Sequence, residues 1–167
     1  NARGQHGHIP SEEALARLVE RGALAFETVS IAIGQGAITW SPLHAASAYC
    51  TLVRNGIVKS PTIILGLNQE ERDLKLNKQS VQLALNGLRD SVAKRYGTGS
   101  LLRHSANNEE PIFNVDGVNL WGKTGTAEAP PFYATKDSDP IEDLDHSWFV
   151  VMASHENDLT PSVVVAI

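Results

Sequence analysis

Trp121-Gly122-Lys123-Thr124-Gly125-Thr126-Ala127-Glu128 follows a short apolar run, Val118-Asn119-Leu120, and the reading of this stretch decides the fold. Val118 and Leu120 alternate with Asn119 and Trp121, a period of two that predicts a strand whose faces meet different surroundings. Continuing that parity, Lys123 and Gly125 share one face. The ammonium is then carried beside a position with no side chain, where a ligand or another backbone can approach closely. Thr124 and Thr126 add two hydroxyls able to hydrogen-bond a carboxylate, and the amides of an exposed strand edge can pair with an extended peptide. Cation, hydroxyls and edge amides together suit an anionic, peptide-like substrate.

Two other readings compete. Gly117-Val-Asn-Leu-Trp-Gly122-Lys123-Thr124 fits the phosphate-loop pattern G-x-x-x-x-G-K-[ST], which would make this a nucleotide site. A phosphate loop needs flexible intervening residues and a helix after the Lys-Thr pair. Here the intervening residues are strand-like, and Pro130 and Pro131 arrive before more than about one turn can form. The plainer alternative is a lysine on a solvated edge strand, placed there to discourage edge-to-edge aggregation.

The same segment resembles the third signature, K-T-G, of the penicillin-binding transpeptidases and serine β-lactamases. In its longer form, Lys123-Thr-Gly-Thr-Ala-Glu128, it is similar to class B penicillin-binding proteins, the peptidoglycan D,D-transpeptidases of cell elongation and division. Ile33-Gly-Gln-Gly36, followed by Thr39, Ser41-Pro-Leu43 and Ala48-Tyr49, looks like that family's G-Q-G segment and the helix after it. Asp145-His-Ser-Trp-Phe149 is similar to the strand that follows K-T-G. The likeness runs from about Ser30 to Ile167. It implies an α+β fold, an antiparallel sheet flanked by helices, forming the C-terminal portion of the penicillin-binding/serine β-lactamase-like transpeptidase fold.

Composition agrees with one ordinary domain. A chain of 167 residues, 42% hydrophobic and 20% charged, can bury roughly two-thirds of its unfolded surface. The formal net charge of -5 gives no reason to expect nucleic acid or an anionic membrane as partner. With Cys50 the sole cysteine, no intrachain disulfide is possible, and its apolar helix predicts that it is buried. No apolar run approaches the roughly 20 residues that span a bilayer, and the amino terminus lacks a signal-peptide pattern. The resemblance implies a piece of a longer protein, with anchor and export signal upstream.

Along the chain, Asn1 to Pro10 reads as an irregular entry. His6 and His8 have H-x-H spacing but no second ligand pair nearby, so they read as loop histidines rather than a metal site. Ser11 is placed to cap a helix carrying Glu12 and Glu13 in its first turn and ending at Gly22, with Leu15, Leu18 and Val19 as its buried face. Gly34-Gln35-Gly36 forms a tight connection, bordering a cleft or merely turning. Pro42 opens a helix that runs to about Arg54 and stops at Asn55-Gly56. Leu43, Ala46, Cys50 and Val53 on one side, and Ala45, Tyr49 and Leu52 on the other, predict burial nearly all round.

Thr62 to Leu67 is β-branched and apolar, and predicts a small strand; Asn68 to Lys78 predicts a solvated turn. Val81, Leu85, Leu88, Val92 and Tyr96 recur at steps of four, three, four and four, the clearest amphipathic helix in the sequence. Gly97 and Gly99 end it, Leu101 and Leu102 form a further turn, and Asn107 to Glu110 is a polar loop before Pro111. Residues 129 to 145, rich in proline and acids, predict a long flap or excursion. Trp148 to Ala153 and Val163 to Ile167 predict two antiparallel strands that join the lysine strand in a three-stranded sheet buried on both faces.

One apparent signature is a decoy. Ser91-Val-Ala-Lys94 matches S-x-x-K and Ser105-Ala-Asn107 matches S-x-N, so all three family signatures stand in order. In the family, however, the nucleophile opens a buried helix, whereas Ser91 falls near the end of one. Only 14 positions separate Ser91 from Ser105, where the family places several helices. The true S-x-x-K and S-x-N are therefore expected upstream of these residues.

By resemblance, the parent protein would form an acyl intermediate on a serine from a D-alanyl-D-alanine stem peptide and pass it to a neighbouring amine, and it would bind β-lactams. Lys123 would supply positive charge, Thr124, Gly125 and Thr126 would bind the substrate, and the Thr126 backbone N-H would join the oxyanion hole. The resemblance implies no metal or cofactor. It places the protein on the extracytoplasmic face of the membrane, among other cell-wall synthesis proteins. The competing class is a catalytically silent domain of the same fold that binds peptides or proteins.

Overall fold

The computed structural model describes residues 8–105, 108–128 and 145–167. In chain order its elements are helices α1 (Glu12–Glu20), α2 (Leu24–Ala32) and α3 (Pro42–Val53); strands β1 (Ile57–Lys59) and β2 (Glu71–Asp73); helix α4 (Lys78–Ala93); and strands β3 (Leu101–Ser105), β4 (Asn108–Pro111), β5 (Val118–Glu128), β6 (Asp145–His155) and β7 (Val163–Ala166). The class is α+β with antiparallel pairing, as expected. The described residues fall into two compact units, one within Asn1–Ser41 and Gly125–Trp148, the other within Pro42–Thr124 and Phe149–Ile167.

In the first unit, α1 forms as its caps dictate. The Ser11 hydroxyl accepts from the Ala14 N–H at 3.3 Å, Glu12 and Glu13 lie in the first turn, and Gly22 closes the end at φ +68°. Val19 was expected to be buried with Leu15 and Leu18, but it is exposed while those two are half-buried. Helix α2 gave no sequence signal. Its N-cap, Ala23, makes no side-chain cap bond, and apolar residues surround the helix without forming a stripe. Such a segment is helical through its contacts with α1 rather than through local chemistry. A bridge between His8 and Thr39 brings the entry of the chain beside the segment that follows the Gly34-Gln35-Gly36 turn. His6 lies outside the described residues.

The second unit holds the core. Val81 and Leu85 of α4, Trp121 of β5 and Met152 of β6 are buried together, with Tyr49, Leu52, Val53, Leu88 and Val164 packed against them. The sheet order is β5-β6-β7. The register of β6 and β7, Val150 opposite Ala166 and Met152 opposite Val164, puts these four side chains on the face toward the helices. Val163 and Val165, one residue out of phase, stand exposed on the opposite face. The expected burial on both faces is therefore corrected, because the described helices α3 and α4 cover one side.

Helix α3 begins at Pro42 as predicted and ends where Asn55 (φ 55°) and Gly56 (φ 95°) turn left-handed. The Gly56 N–H bonds back to the Thr51 carbonyl, and a Cβ on Gly56 would lie 2.9 Å from Leu76. Burial of α3 is less than the sequence suggests: Ala45 and Thr51 are buried, Cys50 is half-buried and Leu43 is exposed.

Half-burial raises the pKa of Tyr49 above its ordinary 10.0, because the phenolate loses hydration there. The folded state then holds the phenol proton more tightly than the unfolded chain. Its contribution is complete below pH 10.0 and is lost as pH rises through the higher folded value. Urea unfolding across the alkaline range should show stability falling above pH 10.0, with Tyr49→Phe reducing the fall. Identical alkaline slopes in the two proteins would refute this.

Three local expectations in this unit are corrected. Thr62 to Leu67 forms no strand. Thr62 Oγ1 accepts from the Ile64 N–H at 3.0 Å, Gly66 sits at φ +77°, and Leu65 is 102% exposed, so β-propensity without a neighbouring strand gives way to local turns. The strands lie to either side, β1 and β2, and pair antiparallel with Lys59 and Glu71 in ionic contact; β2 thus falls inside the segment expected to be a solvated turn. Leu101 and Leu102, expected to turn, and Asn108 to Glu110 of the expected loop fall instead in the paired strands β3 and β4. Arg103 and Arg95 both engage Glu109 there, and Tyr96 lies beyond the end of α4 and is exposed. The proline-rich stretch 129–144 is outside the described residues.

Candidate functional site

Strand β5 is continuous from Val118 to Glu128, so the Gly117-to-Thr124 segment is neither loop nor helix entry, and the phosphate-loop reading is overturned. It stands at the end of the sheet order, with β6 on one side and a free edge on the other among the described strands. Its anchoring is built from the residues preceding the lysine. Trp121 is 3% exposed, and Arg89 stacks its guanidinium 6.0 Å from the indole centroid while its Nη2 donates to Asn119 Oδ1 at 3.2 Å. Asn119 Nδ2 in turn donates to the carbonyls of Glu156 at 2.8 Å and Asp158 at 3.0 Å, which fixes the start of β5 against the turn after β6. Trp121 is thus part of the core.

Within the second unit, Lys123 is exposed, and its Nζ donates to the Thr124 carbonyl. The Thr124 hydroxyl is 2.8 Å from the hydroxyl of Thr98. Thr98 sits in the turn after α4, where backbone bonds run from Gly97 N–H to Lys94 O at 2.8 Å and from Gly99 N–H to Ser91 O at 3.1 Å. A Cβ on Gly97 would lie 2.2 Å from the Ser91 carbonyl, so no larger residue fits this turn unchanged. Lys123 and Thr98 border an open cleft of about 810 Å³ walled by Tyr49, Leu52, Leu88 and Ser91.

Within the first unit, Gly125 leaves the space that a Cβ would fill 3.3 Å from the Cβ of Trp148, so close approach at this position is by the neighbouring strand. Thr126 is exposed, and its carbonyl accepts from Gln35 Nε2 at 2.7 Å. The G-Q-G turn therefore meets β5 at Thr126. Gly34 and Gly36 adopt φ +81° and +77°, which shapes the turn that presents Gln35.

Ser91 lies in the last turn of α4 and Lys94 is its C-cap, so this S-x-x-K closes a helix instead of opening one. The Ser91 Oγ is buried and has no hydrogen-bond partner among the described residues. Ser105 ends β3, and Asn107 of the S-x-N match is outside the described residues. Sequence reasoning missed Thr98 as a site neighbour. The available signal was Gly97-Thr98-Gly99, a hydroxyl between two small residues, which was read only as a helix stop.

A helical layer covers one face of an antiparallel sheet, and K-T-G-T lies on its edge strand. Residues 9–167 match the family described as penicillin binding protein transpeptidase domain, and the chain belongs to that family. It is similar to the peptidoglycan D,D-transpeptidase MrdA of Haemophilus influenzae, 28% identical over 96% of this chain and 25% of that protein. It is also similar to penicillin-binding protein 3 of Bacillus subtilis, 29% identical over 79% of this chain and 18% of that protein. The chain thus spans about a quarter or less of these relatives.

Proposed function

We propose that these residues are the K-T-G-bearing part of a peptidoglycan D,D-transpeptidase that cross-links stem peptides through a serine acyl-enzyme and binds penicillin. The observation that carries this reading is the exposed Lys123 on an edge strand anchored by the buried Trp121 two residues before it. Lys123 supplies a cation for the substrate's terminal carboxylate and for proton movement at the nucleophile. Thr124 and Thr126 supply hydroxyls to that carboxylate, Gly125 lets the strand lie close to its neighbour beneath the bound peptide, and the Thr126 backbone N–H stabilises the oxyanion. The edge of β5 receives the extended D-alanyl-D-alanine end as an added strand. The nucleophilic serine and the S-x-N hydroxyl come from residues upstream of these, so the 167-residue chain alone does not acylate. The parent works on the extracytoplasmic face of the membrane with other cell-wall synthesis proteins. Among the described residues no helix is long and apolar enough to cross a membrane.

The test is to label the full-length parent with a fluorescent penicillin and map the adduct. One adduct on a serine that opens an upstream S-x-x-K helix is expected, with none on the 167-residue chain alone. An adduct on Ser91 would overturn the assignment of the nucleophile. Complete absence of labelling in the parent would overturn the enzyme and leave a peptide- or protein-binding domain of the same fold.

A further inference from the structure

We propose that Thr98 is a positioning residue for the anion site on β5, acting through the hydroxyl of Thr124; this inference rests on the function proposed above. The two oxygens are 2.8 Å apart, so one hydroxyl donates to the other. Each carries a single proton. When Thr124 donates to a substrate carboxylate, its proton is spent on the anion, and the contact with Thr98 persists only with Thr98 as donor. Thr98 then fixes the rotamer of Thr124, aims its proton at the anion, and polarises it in the same direction.

The rest of the turn fits this role. Thr98 is exposed, so its hydroxyl is not held there by burial. The backbone on both sides is nevertheless rigid: Gly97 and Gly99 bond back to the end of α4, and Ser100, which is buried, donates its hydroxyl to the Gly97 carbonyl at 2.8 Å. Gly99 packs so closely that a Cβ would lie 3.0 Å from the Phe149 ring. A tightly braced turn therefore presents one solvent-facing hydroxyl to the residue beside the lysine. A turn needed only to end α4, whose C-cap is Lys94, has no use for a hydroxyl at that position.

The experiment compares Thr98→Val, which keeps shape and removes the hydroxyl, with Thr98→Ser, which keeps the hydroxyl, in the full-length parent. Penicillin acylation is resolved into the dissociation constant of the initial complex and the rate of the covalent step. Thr98→Val is expected to weaken the initial complex about tenfold and leave the covalent rate unchanged, the scale of one lost hydrogen bond between neutral groups. Thr98→Ser is expected to restore it. In a Thr124→Val background, Thr98→Val should have no further effect, a coupling that a merely structural role would not produce.

Unchanged binding in Thr98→Val, or equal losses with and without the Thr124 hydroxyl, would overturn the inference while leaving the proposed function intact. No acylation of the unaltered parent would instead remove the proposed function, and this inference with it.

Discussion

Replacing Lys123 with alanine in the full-length parent is expected to slow acylation by penicillin about 10²–10³-fold, the usual loss when one preorganised electrostatic partner of a transition state is removed. The size follows from the place of the group. Lys123 stands on a strand whose start is bound through Asn119 and whose Trp121 is buried, so its ammonium is carried by a rigid element and little reorganisation is needed when charge develops. Because the side chain is exposed, the substitution should leave the folded structure unchanged, and circular dichroism and thermal unfolding provide that control. Lys123→Arg should recover part of the rate, since it keeps the charge but not the compact geometry of an ammonium. An acylation rate unchanged in Lys123→Ala would remove the lysine from the chemistry and return it to the plainer role of a solubilising edge residue.

The largest stability effect is expected two residues earlier. Trp121→Ala should lower the unfolding free energy by about 3–5 kcal/mol, read from urea unfolding. Trp121 is 3% exposed and lies in the cluster with Val81, Leu85 and Met152, which links α4, β5 and β6. Removing the indole leaves a cavity between a helix and a sheet that cannot close over it, and it also takes the partner of the Arg89 guanidinium. Trp121→Phe, which refills much of the volume, should cost considerably less. A loss in Trp121→Ala no larger than that of an exposed substitution would show that the strand is anchored elsewhere.

These two outcomes separate although the two residues share strand parity. Trp121 and Lys123 lie two residues apart on one strand, yet one is buried in the core and the other is exposed at the edge. The alternation that placed them on one face was legible in the sequence; that the first is packed in the core while the second borders an open cleft was not. Similar reasoning explains the elements that sequence and structure describe differently. The caps of α1 and the end of α3 are local chemistry, Ser11 with its two glutamates and Asn55 with Gly56, and they stand where the sequence places them. Helix α2 has no cap and no stripe, and Thr62 to Leu67 has strand propensity with no partner. In both, neighbours decide, and neighbours are not written in a short window.

The K-T-G segment, its strand, the amphipathic stripe of α4 and the antiparallel pairing of the last two strands were determined by sequence alone, because each rests on a period or a motif contained in a few residues. Tertiary structure alone decided that one face of the sheet is covered, that Gln35 meets the Thr126 carbonyl, and that Thr98 meets the Thr124 hydroxyl. The physical reason is sequence separation. A hydrogen bond between residues 91 or 26 positions apart depends on where whole elements pack, whereas a cap or a strand's alternation depends only on atoms within a turn or two of the same chain.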